Sequence, residues 1–305
     1  MGHPDLDRVL VSKRKTWVKG LETRNGRHSI TAAYRFIKQL RDTHYDVILD
    51  FQGLLKSGIL IGLARGHRKL GFDKGMEHAE ESHIFLNERI KPVDMEIHAL
   101  TRGMMLLEAG LGITNSEIVY NLPVSQRGHD LAEALLQQSG IRNTKPLVAI
   151  HPAAKWDTKL WDNRKFADLA DRLITECHAQ VIFTGGKADV NLIGQIRSDM
   201  KNRACDVSGR TTLKSLAALY ARTDCVISTD TGPMHLAAAV GTPVVALFGP
   251  TAPWRTGPFG KNHRTVRAGI DCSPCFKRAC KTKACMSKIS VEDVLSQLKT
   301  IKPPG

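Results

Sequence analysis

Short apolar runs alternate with amphipathic stretches through the second half of the chain, between residues 147 and 247. The runs have the length of buried strands, and the stretches between them repeat their apolar positions at helical spacing. Strands and helices that alternate in this way build a parallel sheet with right-handed connections. The pattern predicts a Rossmann-like domain. Its strands are expected at Leu147–Ile150, Val181–Phe183, Cys225–Ile227 and Val244–Leu247, and its helices around Phe166–Ile174, Val190–Ile196, Leu213–Tyr220 and Pro233–Val240.

The first half shows the same alternation less completely. Strands are predicted at Val9–Val11 and Val47–Leu49, with a helix between them. Further helices are predicted over Leu54–Ala64, Met95–Ala109 and Asp130–Gln138. No helix or glycine-rich turn precedes the first of these strands. We therefore expect a parallel-sheet domain that is short at its start.

The length of 305 residues suits two domains. We predict an α/β chain with a first Rossmann-like domain over residues 1–140, a second over 146–288 and a C-terminal helix over 289–305. The polar stretch between residues 140 and 146 is the predicted linker. Hydrophobic residues make up 42% and charged residues 24% of the chain, which excludes collagen-like, coiled-coil and largely disordered proteins.

The sequence also indicates the compartment. No run approaches the roughly 20 apolar residues that a membrane-spanning helix needs, and the first residues show no signal-peptide pattern. Seven cysteines, an odd number, suit a reducing environment better than a disulfide framework. We expect a cytoplasmic protein.

Charge is unevenly distributed. The net charge is +14, of which +4 falls in residues 1–145 and +10 in residues 146–305. The segment Lys261–Lys288 holds eight basic residues against the single acid Asp271. Such a surplus favours nucleic acid, nucleotide phosphates or an anionic membrane as partner, unless it is only a solvated surface. Aromatic residues are 6% of the chain and no nucleic-acid-binding motif is present, so we expect no nucleic-acid partner.

The residues that follow each predicted strand are the candidate ligand contacts, because open parallel sheets bind ligands beyond the carboxyl ends of their strands. Asp230-Thr231-Gly232-Pro233 follows one strand, with Pro233 at a first helical position. The backbone N–H groups of Thr231 and Gly232, with the helix dipole, form an anion site, and His235 lies one turn further on. The alternative is a plain helix start that Asp230 caps.

Two other strand ends carry polar groups. The loop after Ile150 contains Lys155 and Lys159, which suit a diphosphate, and Gly185-Gly186 is followed by Asp189, whose carboxylate suits a ribose diol. An exposed acid that serves a helix dipole is the alternative for Asp189. Together the strand ends indicate a nucleotide site.

Four cysteines lie within fourteen residues, at Cys272, Cys275, Cys280 and Cys285. They suit a zinc site, or else reduced thiols in a small loop or a labile disulfide, and their spacing does not choose between these. The only Asp-x-Asp, Asp5-Leu6-Asp7, lies in a turn-like stretch near the chain start, so we predict no metal for a sugar nucleotide and no cofactor.

The chain resembles the ADP-heptose:lipopolysaccharide heptosyltransferases, glycosyltransferase family 9. The resemblance rests on Asp230–Ala237, Gly241-Thr242-Pro243 and Ala246–Thr251, and extends to Arg255–Gly260, the cysteine segment and Asp50–Ser57. It implies a GT-B architecture, with two Rossmann-like domains facing a cleft. It also implies inverting, metal-independent transfer of heptose to the lipopolysaccharide inner core, at the cytoplasmic face of the inner membrane.

The resemblance assigns roles to site residues. Lys159 would contact the donor diphosphate, Asp189 would hold the ribose and Thr211 would border the adenine. The phosphates and the heptose would be surrounded by Asp230, Thr231, Gly232 and His235. The acceptor, a lipid-anchored anionic saccharide, would bind the first domain.

The chain departs from the family at its start. Family members begin with a strand and a Gly-Asp turn whose Asp is the general base, and the sequence given matches from about fifty residues further on. We therefore assign no catalytic base. A sugar-nucleotide-binding remnant or a GT-B-like sugar-nucleotide epimerase are the alternatives to a transferase. We expect the basic Lys261–Lys288 segment to dock the protein on the anionic inner membrane.

Overall fold

The computed structural model describes residues 3–23, 26–77, 80–114, 117–120, 122–142 and 144–301. The chain separates into two compact units, Met1–Ile118 and Val119–Gly305. Both units combine helices with parallel strands, so the predicted α/β class is confirmed. No helix in the described residues is long and apolar enough to cross a membrane.

The first unit is built around a parallel sheet in the order β1-β2-β3. Asp50 at the end of β1 lies opposite Gly71, and Phe72 at the end of β2 lies opposite Ile90. The carboxyl ends of these strands therefore share one edge. The elements are α1 Arg14–Leu21, α2 Gly26–Leu40, β1 His44–Asp50, α3 Leu55–Leu63, β2 Arg65–Phe72, β3 Glu88–Ile90 and α4 Ala99–Leu111, with a 3-10 turn at Glu81–Phe85.

The predicted strand at Val9–Val11 is wrong. Residues 8–13 have no regular structure, and the side chains of Val9 and Val11 are 44% and 57% exposed. A short apolar run makes a strand only where it is covered and a neighbouring strand pairs with it, and neither holds for this run among the described residues. Conversely, β2 was not predicted, because its sequence Arg-Gly-His-Arg-Lys-Leu-Gly-Phe is mostly polar although it lies between β1 and β3.

The second unit contains a parallel sheet in the order β6-β5-β4-β7-β8-β9. This is the order of a doubly wound nucleotide-binding fold, with the reversal of direction between β4 and β7. The helices are α5 Gln126–Gln138, α6 Asn163–Glu176, α7 Val190–Ser198, α8 Leu213–Tyr220, α9 Gly232–Ala239, α10 Pro253–Thr256, α11 Ala284–Ser287 and α12 Val291–Lys299. The strands are β4 Leu147–His151, β5 Gln180–Phe183, β6 Cys205–Asp206, β7 Cys225–Thr229, β8 Val244–Leu247 and β9 Arg264–Val266.

The sheet of the second unit is buried on both faces. Alternate residues of β4 enter different clusters, with Val148 and Ile150 on one face and Leu147 and Ala149 on the other. Helices α6, α7 and α12 complete the first cluster, and α5, α8 and α9 the second. The strands and helices that the apolar pattern predicted between residues 147 and 247 are confirmed.

The division between the units lies earlier than the predicted linker. Helix α5 was assigned to the first domain, but its Ala132, Leu135 and Leu136 pack in the core of the second unit beside α8. The predicted C-terminal helix is α12, and its Val294 and Leu295 are also buried in that core. Asn143 of the linker and residues 302–305 lie outside the described residues.

Candidate nucleotide site of the second unit

The chain connections leave a crevice where β4 and β7 end side by side. The connection after β4 continues away to β5 and the one after β7 to β8, so the two loops diverge at the carboxyl edge. Thr229, the last residue of β7, donates its hydroxyl to the carbonyl of Ala153 at 2.8 Å and is fully buried. This buried hydrogen bond joins the end of β7 to the loop after β4 at the base of the crevice.

A cleft of about 430 Å³ opens at this edge. It brings together three of the predicted residues, Asp189, Thr211 and Thr231. The other lining residues come from the ends of β4 and β5 and from the starts of α8 and α9: His151, Ala153, Ala154, Lys155, Gly185, Gly186, Thr212, Leu213, Leu216 and Pro233.

Helix α9 starts at this cleft. Thr231, not Asp230, is its N-cap residue, and no side chain caps the helix there. Gly232 is exposed, and the space in which a Cβ atom would stand is open. Pro233 removes one donor that the first helical turn could not satisfy. The arrangement leaves the positive end of the helix dipole facing the cleft, as an anion site requires.

Lys159 lies beside this helix start but is already paired. Its Nζ lies 2.6 Å from Oδ2 of Asp230 and 4.6 Å from the centre of the Trp156 ring. Asp230 is 7% exposed and also accepts the hydroxyl of Thr251 at 2.5 Å. The pair therefore holds a lysine and its counter-ion close together, next to the anion site rather than in the cleft lining.

Lys155 is the lysine that lines the cleft. It is exposed and forms no ion pair with another described residue. Sequence reasoning named both lysines of the loop and favoured Lys159 through the family resemblance. The 3-10 turn Asp157–Lys159 separates them and directs Lys159 to Asp230. His235 is exposed in the first turn of α9 and is not part of the cleft lining.

Asp189 ends a 3-10 turn that follows β5. Its Oδ2 accepts the backbone N–H of Gly186 at 2.7 Å, which fixes the carboxylate at the cleft wall. Oδ1 has no hydrogen-bond partner among the described residues. One oxygen is thus held and the other is available to a hydroxyl donor.

Thr211 faces the same space from the loop before α8. Its neighbour Thr212 is the N-cap, accepting the N–H of Ser215 at 3.2 Å. Thr211 is therefore not needed as a cap, and it lines the cleft.

A buried polar chain missed by sequence reasoning lies under the cleft. Nδ1 of His151 is 3.1 Å from Oγ1 of Thr184, which is 2.9 Å from the hydroxyl of Tyr220. Thr184 and Tyr220 are fully buried and His151 is 5% exposed. Burial lowers the pKa of His151 to about 4, so its ring is neutral at physiological pH.

The cysteine segment braces the loop that follows β4. Lys283 pairs with Asp157 at 2.7 Å, Thr158 donates to the carbonyl of Lys277 at 2.9 Å, and Arg278 stacks 4.9 Å from the Trp156 ring. The segment thus supports the three residues that precede Lys159.

The four thiols of this segment are reduced. Among the described residues no disulfide forms, and no group of three His, Cys, Asp or Glu side chains is placed to hold a metal ion. Burial raises the pKa of Cys285, whereas nearby N–H and hydroxyl donors, the backbone N–H of Lys283 first, lower the pKa of the exposed Cys280. The spacing leaves open a zinc site, reduced thiols in a small loop or a labile disulfide, and in the described structure the four cysteines are free thiols.

The first unit has its own polar features at the edge where β1 ends. Asp50 is 4% exposed, and its Oδ1 accepts the N–H groups of Gln52 and Gly53 at 3.0 and 3.1 Å. Its Oδ2 accepts the Ser57 hydroxyl at 3.2 Å. This motif therefore shapes a turn, in which Gly53 has a φ of 66° that favours glycine.

A cavity of about 560 Å³ lies beside this turn. Its lining includes four basic side chains, those of Lys13, Arg14, Lys15 and Lys56, and no acid. None of the four forms an ion pair with another described residue. The cavity therefore suits a ligand with several negative charges.

The comparisons with known proteins agree with one another. The profile of glycosyltransferase family 9 (heptosyltransferase) matches residues 33–286. Lipopolysaccharide heptosyltransferase 1 of Pseudomonas aeruginosa is 30% identical over 280 residues, which cover 91% of this chain and 74% of that protein. Lipopolysaccharide core heptosyltransferase OpsX of Haemophilus influenzae is 27% identical over 277 residues, covering 87% of this chain and 77% of that protein.

The fold is similar to that of E. coli heptosyltransferase WaaC with ADP. The TM-score is 0.73 at 21% identity, with 98% of this chain and 85% of the other covered. This likeness confirms the expected fold class, and the family match extends over most of the chain. The chain therefore belongs to glycosyltransferase family 9, the heptosyltransferases, and is a glycosyltransferase enzyme.

Proposed function

We propose that this enzyme transfers heptose from ADP-heptose to the lipopolysaccharide inner core, with inversion and without a metal ion. The observation that carries the proposal is the cleft between β4 and β7, where a fixed carboxylate and an open helix start face one space. Relatives named lipopolysaccharide heptosyltransferase support the acceptor, and a structural neighbour solved with ADP-2-deoxy-2-fluoro heptose supports the donor.

The cleft offers a place for each part of ADP. The free Oδ1 of Asp189 would accept a ribose hydroxyl, since Oδ2 is already held by Gly186. Thr211 would border the adenine. The N–H groups of Thr231 and Gly232, together with the hydroxyl of Thr231, would donate to the diphosphate at the positive end of α9.

Positive charge for the leaving diphosphate would come from the protein itself. Lys155 lines the cleft, and Lys159 lies beside it on Asp230. Fixed cations and a helix dipole stabilise negative charge that develops in a transition state, which is the role a metal ion has in other transferases. Asp230 would hold the Lys159 ammonium in place until the bound diphosphate also pairs with that ammonium.

The heptose would lie beyond the diphosphate, near the first turn of α9. His235 is exposed there and has the donors and acceptors that sugar hydroxyls require. Asp230, in the adjoining turn, would contribute through Lys159 and Thr251, which occupy its carboxylate.

The acceptor would bind the first unit through its basic cavity. An inner-core saccharide with carboxylates and phosphates complements the four cations at Lys13, Arg14, Lys15 and Lys56. The acceptor is anchored in lipid, so we propose that the enzyme acts at the cytoplasmic face of the inner membrane as a peripheral protein.

The direct test is transfer in vitro with purified protein, ADP-heptose and lipopolysaccharide truncated before its first heptose. The proposal predicts ADP release and an acceptor that gains the mass of one heptose residue, both dependent on the acceptor. An Asp189→Asn variant should lose rate through weaker donor binding, whereas Asp168→Asn, an exposed acid on α6, should not.

The alternatives give different products. A sugar-nucleotide-binding remnant would bind ADP-heptose and release no ADP, with or without acceptor. An epimerase would convert the sugar nucleotide with no acceptor present. Either result would contradict the proposed transfer.

A further inference from the structure

Helices α1 and α2 form the most basic surface of the first unit. Residues 13–41 contain nine lysines and arginines and one acid, Glu22. Eight of these cations lie in the described residues, and none of the eight makes a side-chain ion pair or hydrogen bond there. By contrast, Arg8, which precedes these residues, pairs with Asp42 at 2.7 Å. The cations of α1 and α2 are therefore unneutralised by the protein.

Large apolar side chains stand among these cations. Val18 and Leu21 on α1 are 53% and 56% exposed, and Ile30 and Tyr34 on α2 are 60% and 67% exposed. On α2, Ile30 and Tyr34 are one turn apart, and Lys38 continues the same row. The opposite face of α2 is the packed one, where Phe36 is buried against Trp17 at 5.3 Å between ring centres.

A helix face of this composition has a specific kind of partner. Anionic lipid headgroups attract the cations, and the acyl boundary beneath them takes up aliphatic and aromatic side chains. Nucleic acid would satisfy the charge but offers no apolar phase to Val18, Leu21 and Ile30. We propose that the outer face of α1 and α2 is the surface by which this enzyme binds an anionic membrane.

The structure favours this surface over the Lys261–Lys288 segment. There, Lys283 pairs with Asp157, Arg264 bonds to Thr300, and Arg267 bonds to Ser273. Arg278 stacks on Trp156. Several cations of that segment thus serve internal contacts, whereas those of α1 and α2 do not.

The basic cavity of the first unit lies at the start of α1, next to this surface. A protein docked through α1 and α2 would present the cavity to headgroups of the same membrane. This proposal rests on the proposed function only in taking the acceptor to be membrane-anchored. Vesicle binding is measured without donor or acceptor, so its failure would leave the transfer assay standing, and failed transfer would leave vesicle binding standing.

The test compares two variants that lose the same charge. One is Lys19→Gln/Arg27→Gln/Arg35→Gln/Lys38→Gln, at exposed positions of α1 and α2 outside the basic cavity. The control is Lys261→Gln/Lys277→Gln/Lys281→Gln/Lys288→Gln, also at exposed positions. Co-sedimentation is measured with phosphatidylglycerol-containing and purely zwitterionic vesicles, at low and high salt. Circular dichroism shows that both variants are folded.

The expected result is that the α1–α2 variant binds anionic vesicles about 600-fold more weakly, which is about fivefold for each of its four cations, while the control changes little. An Ile30→Ser/Tyr34→Ser variant should lose the part of the binding that survives high salt. Equal losses in both charge variants, a loss only in the control, or equal binding to zwitterionic vesicles would overturn the proposal. So would binding to duplex RNA but not to vesicles.

Discussion

The two units differ in how much of their secondary structure is buried. In the second unit the strands β4, β5, β7 and β8 are almost wholly buried, between two layers of helices. In the first unit α1 buries no residue, and three of the eight residues of β2 are exposed. The second unit is thus a well-packed sheet that holds polar groups at the ends of its strands. In the first unit, much more of the sequence lies on the charged surface.

The largest expected effect tests the difference in packing. Leu173→Ala, at a fully buried position of α6, should destabilise the second unit by about 2–5 kcal/mol, because a cavity remains in a core buried on both faces. Leu21→Ala on α1, where the side chain is 56% exposed, should change stability by about 0.5 kcal/mol or less. Urea unfolding followed by circular dichroism measures both. Similar losses would contradict the contrast between the units.

The next effect tests Asp189. If its free oxygen accepts a ribose hydroxyl, Asp189→Asn should weaken ADP binding by about 1.5–3 kcal/mol, or roughly 10–150-fold. The variant should also lose most of the preference for ADP over 2′-deoxy-ADP or 3′-deoxy-ADP. Titration calorimetry with the three nucleotides decides this. A variant that keeps the wild-type discrimination would place the ribose elsewhere.

A third effect concerns the polar chain under the cleft. Burial lowers the pKa of His151 to about 4, so in acid the unfolded chain binds a proton that the folded protein does not. Above the unfolded pKa near 6.5, protonation of His151 does not affect the free energy of unfolding. Below it, the free energy of unfolding falls as the pH drops towards 4. Between pH 7 and pH 5 the loss should be about 2 kcal/mol.

The check is urea unfolding at both pH values for the wild type and His151→Gln. The variant should show the smaller drop in the free energy of unfolding, because glutamine does not titrate while the carboxylates are unchanged. Identical drops would mean that His151 is accessible to protons in the folded protein.

The fold of the second unit could be predicted because each of its central strands is a continuous apolar run. Short or polar strands gave no such signal. Cys205–Asp206 has two residues, and Arg65–Phe72 is a strand through its pairing with β1 and β3, which no local pattern encodes. Val9–Val11 shows the reverse, a strand-like pattern without a neighbouring strand.

The candidate site was predicted in its position but not in its internal contacts. The strand order explains why Asp189, Thr211 and Thr231 meet, since polar residues at neighbouring strand ends converge. The pairing of Lys159 with Asp230 depends on a 3-10 turn, so spacing alone could not show which lysine faces the cleft. His151 was missed because its partners Thr184 and Tyr220 are 33 and 69 residues away in sequence.

The central claim is that the second unit binds the donor diphosphate at the start of α9, and calorimetry with ADP tests it most directly. Lys159→Ala and Thr231→Ala should each weaken ADP binding by about 10–150-fold, the loss of one charge-assisted contact. Lys201→Ala, at an exposed position away from the cleft, should bind ADP as the wild type does. Unchanged ADP affinity in both Lys159→Ala and Thr231→Ala would contradict the account.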